Sequence, residues 1–291
     1  MRIALTYTRL RTEERLLLDA FESAGISATP IDLRTTVFDP ANPGGWLEYD
    51  AVLDRSVSLT GGLTAVRLLE SFGVRCINTL HAIETCSDKL ATTIALIRAG
   101  VPTPGVRVAT SAEAGLIAIE EIGYPAVLKP TIGSWGRLVA RVNDRDAAEA
   151  VLEHRETLGS AQQGVFYVQE HIDKPGRDIR VFVVGGEAIA AISRSSAHWV
   201  TNTARGATAA GLSVSEELGS LCVRAAEAVG GDIVAIDVLE CPRRGLMVNE
   251  INHSMEFRNS ITTTGVNIPE LVVRHVAQIA EESRASREVA S

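Results

Sequence analysis

The sequence predicts a mixed α/β and α+β chain divided into two or three subdomains. Three observations carry that prediction. The length of 291 residues exceeds what one hydrophobic core usually serves. Residues 1–85 alternate strand and helix patterns, as a small parallel sheet with covering helices requires. Beyond residue 100, apolar strand patterns come in neighbouring pairs joined by short glycine turns, with helices between them. Hydrophobic residues make up 46% of the chain, enough for several cores, and aromatics only 4%, so aliphatic side chains must do the packing.

Residues 3–7 form the first predicted strand, and a helix over 13–24 ends at Gly25, a residue that accepts the left-handed conformation of a helix terminus. Strands follow at 27–32, 49–54 and 74–77, with a helix over 63–72 closed by Gly73. In such sheets the loops at the carboxyl ends of the strands hold ligands, which makes 8–11 and 55–58 either substrate loops or solvated connections. A helix over 87–98 follows, with Ser87 expected as its N-cap. Lys89 then falls in the first turn, against the helix dipole, unless it faces an anion. Helices are predicted over 111–122, 144–154 and 215–229, a strand over 166–172, and a two-stranded hairpin over 176–192 turning at Gly185-Gly186-Glu187. The division is expected at 1–85, 86–172 and 173–284, with a polar tail at 285–291.

Two stretches carry chemistry. In the first, a short apolar strand ends at Lys129. It is followed by Gly133-Ser134-Trp135-Gly136-Arg137 and then by a second strand. Glycines let several N–H groups converge on phosphate oxygens, and the lysine adds a point charge. The pattern is neither a Walker A loop nor a dinucleotide fingerprint, because no Lys follows the second Gly and no Gly-x-Gly-x-x-Gly is present. An ordinary hairpin turn and a flexible phosphate lid both fit it.

In the second, Asp237 interrupts an apolar strand that begins near residue 231. Burying a lone carboxylate costs on the order of several kcal/mol unless it is paired or holds a metal. A turn over 241–245 returns the chain to Asn249-Glu250-Ile251-Asn252, where Glu250 and Asn252 share a face. Three oxygen donors on one hairpin suit a hard cation such as Mg2+. There is a register condition. If Glu240 pairs with Leu246, Asp237 falls opposite Asn249, and a slip or a bulge is needed to bring it beside Glu250. The alternative is a hairpin whose acids face solvent. The polar segment 253–260 that follows is either a substrate loop or a helix entry. His198 and His253 are available acid–base groups, but a lone histidine is more often structural.

Composition excludes several classes. A net charge of −8 argues against a general nucleic-acid binder. Cys76, Cys86, Cys222 and Cys241 lack zinc spacing and fit free thiols in a reducing cytoplasm. The first residues form a strand rather than a signal peptide, and no apolar run is long enough to span a membrane.

Lys89, Lys129 with its glycine loop, and Asp237…Glu250-x-Asn252 together resemble the ATP-grasp superfamily over nearly the whole chain. Lys174-Pro175-Gly176-Arg177-Asp178-Ile179-Arg180, residues 198–206 and residues 249–259 resemble its RimK-like branch. More narrowly they resemble the LysX-type ligases, which join an amino acid to the amino-group carrier protein LysW.

The resemblance implies an N-terminal Rossmann-like domain and two lobes sandwiching ATP. It implies carboxylate–amine ligation through an acyl phosphate, with ATP and Mg2+, in amino-acid biosynthesis such as that of lysine. Lys89, Lys129, Gly133, Ser134, Trp135, Gly136 and Arg137 would hold phosphates. Gln169, Glu170, His171 and Ile172 would form the adenine linker, and Asp178 would meet ribose. Asp237, Glu250 and Asn252 would hold the metal. Arg194, Asn202 and Arg205 would stabilise the transferred phosphoryl group, with Arg180 as a further anion contact.

Arg258, Asn259 and Ser260 would distinguish the amino acid, and Asn-Ser there is more like 2-aminoadipate enzymes than glutamate enzymes. The partners implied are a LysW-like acidic carrier and the amino acid, with no nucleic acid and no membrane, in a cytoplasmic homo-oligomer, dimer or tetramer. Residues 34–48 and the acidic end depart from the family pattern. The alternatives are a RimK-type ligase adding glutamate to a protein C-terminus, a small-molecule amino acid ligase, and an ATP-binding scaffold without catalysis.

Overall fold

In a computed structural model, residues 1–133, 137–159, 164–201 and 206–290 are described. The first part runs β1 (Arg2–Tyr7), α1 (Thr12–Ser23), β2 (Ser27–Asp32), β3 (Ala51–Asp54), α2 (Leu59–Ser71), β4 (Cys76–Ile77). The strands form a parallel sheet in the order β2-β1-β3-β4, as the alternating pattern predicted. Helix α2 starts four residues earlier than expected. Ser58 Oγ accepts from the Gly61 N–H at 3.3 Å, and the Gly61-Gly62 pair hides the helical signal. Gly62 is needed because a Cβ there would lie 2.8 Å from Asp54 Oδ2.

Helices α3 (Leu80–Ser87) and α4 (Lys89–Arg98) follow. The cap expected at Ser87 is not found. Ser87 closes α3, its hydroxyl donating to the Ile83 carbonyl at 2.6 Å. Asp88 caps α4 instead, accepting from the Leu90 and Ala91 N–H groups at 2.7 and 3.2 Å. A carboxylate serves that position better because it also meets the positive end of the helix dipole.

The next elements are β5 (Val106–Ala109), α5 (Ala112–Ile122), β6 (Ala126–Lys129), β7 (Ala140–Val142), α6 (Arg145–Leu158) and β8 (Phe166–Glu170). Their strands pair antiparallel in the order β5-β8-β6-β7, over a core that includes Ile119, Leu128, Leu152 and Phe166.

Strands β9 (Arg177–Val184), β10 (Glu187–Ser195) and β11 (Thr208–Leu212), helix α7 (Glu216–Val229), and strands β12 (Ile233–Cys241) and β13 (Gly245–Asn252) come next. They build an antiparallel sheet in the order β11-β10-β9-β12-β13. The chain ends in α8 (Arg258–Thr264) and α9 (Ile268–Ala290). Residues 285–290 of the polar tail expected at 285–291 continue α9. Two of its polar side chains are engaged: Arg284 pairs with Glu288 at 3.0 Å, and Arg287 reaches back to Asp50.

The parts are welded together. Val272, Val273 and Val276 of α9 sit in one core with Ile3, Leu5 and Leu53 of the parallel sheet and Phe182 and Ala235 of the five-stranded sheet. Asn78 adds a polar clamp. Its Oδ1 accepts from the Asp232 and Ile233 N–H groups at 2.8 and 2.9 Å, and its Nδ2 donates to the Ile233 and His253 carbonyls at 2.8 and 2.9 Å. No helix among the described residues is long and apolar enough to cross a membrane.

Candidate functional site

The register of β12 and β13 decides the site. Glu240 pairs with Leu246, Leu239 with Met247 and Val238 with Val248. A bulge at Asn249 then brings Asp237 opposite Glu250 and Ala235 opposite Asn252. Of the two solutions the sequence allowed, the chain uses the bulge. The two carboxylates and the Asn252 amide thus approach one another at the end of the hairpin. Two carboxylates and an amide fit a hard divalent cation that also takes phosphate oxygens. Among the described residues no group of three or more His, Cys, Asp or Glu is placed to hold a metal, and the third donor here is an amide.

Asp237 is nearly buried and is gripped by two guanidiniums. Arg180 meets it with a fork, Nε to Oδ1 at 2.8 Å and Nη2 to Oδ2 at 2.9 Å, and Arg194 Nη2 lies 3.1 Å from Oδ2. Burial alone would raise its pKa, but the two arginines outweigh it and hold the carboxyl down at about 2. Arg194 also donates to Asp178 at 2.7 Å. Asp178 accepts from Thr201 Oγ1, and Lys174 donates to that hydroxyl at 2.6 Å.

Asp237, Arg194, Asp178, Thr201 and Lys174 line a cleft between the β5–β8 sheet and the five-stranded sheet. The cleft gathers most of the predicted nucleotide set: Lys89, Lys129, Gly133, Arg137, Gln169, Glu170, His171, Ile172, Asp178, Arg194, Asp237 and Glu250. Lys89 Nζ donates to the Gly133 carbonyl at 2.7 Å and lies 3.6 Å from Glu250. Lys129 is buried and donates to Gln169 Oε1 at 2.7 Å and Asn249 Oδ1 at 3.0 Å. Burial lowers its pKa to about 8, with Lys89 adding to the effect and Glu250 opposing it. Glu170 turns its carboxylate to the Gly105 N–H and Arg244, so its side chain braces the linker. Ser134, Trp135 and Gly136 of the glycine loop, and Asn202 and Arg205, lie outside the described residues.

A second cleft meets the first at Gly133, Asp237 and Glu250. Arg180, Asn252, His253 and Ser254 line it from the C-terminal part, and Arg11, Ser56 and Val57 from the N-terminal sheet. Both loops that sheet topology marked as candidates therefore reach it. They are tied together by Thr8 Oγ1, which accepts from the Val57 and Ser58 N–H groups at 3.1 Å each. Burial, with help from Arg55, lowers the His253 pKa to about 4, so its ring is neutral near pH 7.

Of the two readings of the polar segment 253–260, the helix entry is the one found at Arg258-Asn259-Ser260. These residues are the first turn of α8, Ser260 is buried, and none of the three lines either cleft. Their polar backbone groups are satisfied locally by the Thr263 and Thr264 hydroxyls, which donate to the Asn259 and Ser260 carbonyls at 2.6 and 2.7 Å.

Sequence reasoning missed the apolar walls of the first cleft, Val127, Val139 and Leu239, and the acceptor Asn249. Alternation along β6 and β12 could have marked Val127 and Leu239, since each is two residues from a predicted site residue.

Residues 86–276 match the RimK-like ATP-grasp domain, and residues 3–85 match the LysX preATP-grasp domain. The chain belongs to the RimK-like ATP-grasp family. It is thus an ATP-grasp ligase, a class that uses ATP and a divalent metal.

A glutamate–LysW ligase, ArgX, of Sulfurisphaera tokodaii is 35% identical over 96% of this chain and 99% of its own length. An α-aminoadipate–LysW ligase, LysX, of the same organism is 33% identical over 96% and 99%. The crystal structure of a RimK-domain ATP-grasp protein from Sphaerobacter thermophilus superimposes with a TM-score of 0.78 at 32% identity, covering 94% of this chain and 99% of that one.

Proposed function

We propose that this ligase joins the α-amino group of a dicarboxylic amino acid, 2-aminoadipate or glutamate, to the side-chain carboxylate of the C-terminal glutamate of a LysW-like carrier protein, using ATP and Mg2+. The observation that carries the proposal is the meeting of two clefts at Asp237 and Glu250. One offers lysines and apolar walls to a nucleotide; the other offers polar groups from both ends of the chain to the two partners being joined.

The carrier carboxylate oxygen attacks the γ-phosphorus, and the bond to ADP breaks. The amine nitrogen then attacks the acyl carbon, the bond to phosphate breaks, and the amine loses its proton, leaving an amide. Lys89 and Lys129 neutralise phosphate charge, which is most of what phosphoryl transfer asks of a protein. Gln169 to Ile172 border the base, Asp178 the ribose, and Arg180 and Arg194 the developing anion. Asn202, Arg205 and the Gly133-Ser134-Trp135-Gly136-Arg137 loop are assigned by family pattern to the same phosphates. Asp237, Glu250 and Asn252 would hold Mg2+, which supplies charge neutralisation between the phosphates. The division at residues 85 and 172 is part of this proposal, and Arg258, Asn259 and Ser260 are assigned to the choice of amino acid by family pattern alone.

The test is phosphate release from ATP and Mg2+ with each amino acid, with and without a carrier ending in glutamate. Release should require both carrier and amino acid, and the faster amino acid names the substrate. Release without any carrier would sink the proposal and favour a small-molecule ligase.

A further inference from the structure

Arg11 follows β1 and lines the second cleft. Its Nε and Nη2 donate to the Glu14 carboxylate at 3.0 and 2.9 Å, and its backbone N–H donates there too at 2.9 Å. Glu14 is fully buried and also receives Arg55 Nε at 3.2 Å. Arg55 is buried as well. Its Nη2 donates to the Met255 carbonyl at 2.8 Å and its guanidinium lies 5.9 Å from the centre of the Phe257 ring. One buried carboxylate thus faces two guanidiniums. Glu13, also buried, has its own cation in Arg258 at 3.9 Å.

Glu14 faces both guanidiniums, and Arg11 also reaches Glu256, whose half-exposed carboxylate takes a single 3.2 Å bond from Arg11 Nη1. Glu14 fixes one edge of the Arg11 fork, so the edge toward the cleft is oriented before any ligand arrives. A guanidinium edge matches a carboxylate in a bidentate way, which a single 3.2 Å contact does not exploit.

We propose that Arg11 is the carboxylate-binding residue of the second cleft, and that Glu256 stands in the position of a substrate carboxylate. The proposal rests on the ligation reading above and names the chemistry of its acceptor side. Either the free amino acid or the carrier's terminal α-carboxylate supplies the group. Glu14 and Arg55 are positioning residues, holding Arg11 and the 253–257 segment against each other.

The test is steady-state KM for amino acid, carrier and ATP in wild type, Arg11→Gln, Arg11→Lys and Glu256→Gln, with thermal melts of each. A charge-assisted pair is worth about tenfold to a hundredfold in affinity. Arg11→Gln should raise one of the two acceptor-side KM values by that factor and leave the ATP KM in place. A change in the amino-acid KM assigns the free acid, and a change in the carrier KM assigns the carrier terminus. Arg11→Lys should restore part of the loss, and Glu256→Gln should lower the same KM.

If Arg11→Gln melts like wild type and both acceptor KM values stay within twofold, the proposal is overturned. A raised KM in Glu256→Gln overturns it as well, and that variant decides alone if Arg11→Gln does not fold. Calorimetric titration with glutarate and glutamate separates this proposal from the ligation reading. Binding that Arg11→Gln abolishes, in a protein without carrier-dependent turnover, would keep the subsite and discard the ligation.

Discussion

Replacing Asp237 by asparagine keeps the shape of the side chain and removes its charge. In the wild type three guanidinium nitrogens from Arg180 and Arg194 lie 2.8–3.1 Å from its two oxygens. Asparagine offers one acceptor oxygen and turns an NH2 group toward a guanidinium. Arg194 keeps Asp178, but Arg180 loses its carboxylate partner.

Breaking such a buried pair costs about 3–5 kcal/mol, which in a chain of this size lowers Tm by roughly 10 °C. The Asp237 pKa falls from 3.8 to about 2 on folding, which corresponds to about 2–3 kcal/mol. Because the folded pKa is the lower one, this stability is fully present above pH 4 and disappears as the pH falls toward 2. Ligation should fall by about a hundredfold or more, since a carboxylate that would hold Mg2+ beside the phosphates is lost. Thermal melts at pH 7 and pH 3 and carrier-dependent phosphate release across a Mg2+ titration measure both effects. An Asp237→Asn protein melting within 2 °C of wild type and turning over at a near wild-type rate would refute the assignment.

Two further outcomes follow from single residues. Lys129 loses its charge as the pH rises through about 8, so kcat/KM for ATP should decline above that pH, and Lys129→Arg should remove the decline. The unfolded lysine binds more protons than the folded one between about pH 8 and 10.5, so the Lys129 contribution to stability should rise over the same window. Asn78→Ala deletes four hydrogen bonds at a buried junction and should cost about 2–3 kcal/mol, lowering Tm by roughly 5 °C. An unchanged melt would show that the clamp contributes nothing to holding the parts together.

The bulge at Asn249 shows how far the sequence could be followed. Alternation along the hairpin stated the condition, that Asp237 reaches Glu250 after a shift of one residue. It could not choose a slip over a bulge, because either one brings Asp237 opposite Glu250, and the two differ only in the faces that Met247 and Val248 take. The choice is made across the cleft. Asn249 Oδ1 accepts from Lys129 Nζ at 3.0 Å and Gln169 Nε2 at 3.2 Å, on strands more than 75 residues earlier. Those bonds stabilise the extra residue facing the nucleotide side. The differences at Ser87 and Arg258 have causes of their own. Asp88 outcompetes Ser87 because a charged cap meets a dipole, and Ser260 is drawn into a helix because its neighbours bury it.

The sequence by itself determined the parallel N-terminal sheet, the two later hairpins, and the lysines, arginines and carboxylates of the first cleft, since periodicity and residue chemistry are local properties. Sheet topology marked the loops of the second cleft, but which of their charged groups meet was decided by tertiary structure. The Arg11, Glu14, Arg55 and Glu256 cluster joins residues about 200 to 245 positions apart, brought together when α9 packs between two sheets. Charge balance among buried groups depends on which of them meet, and no local pattern in the chain records that.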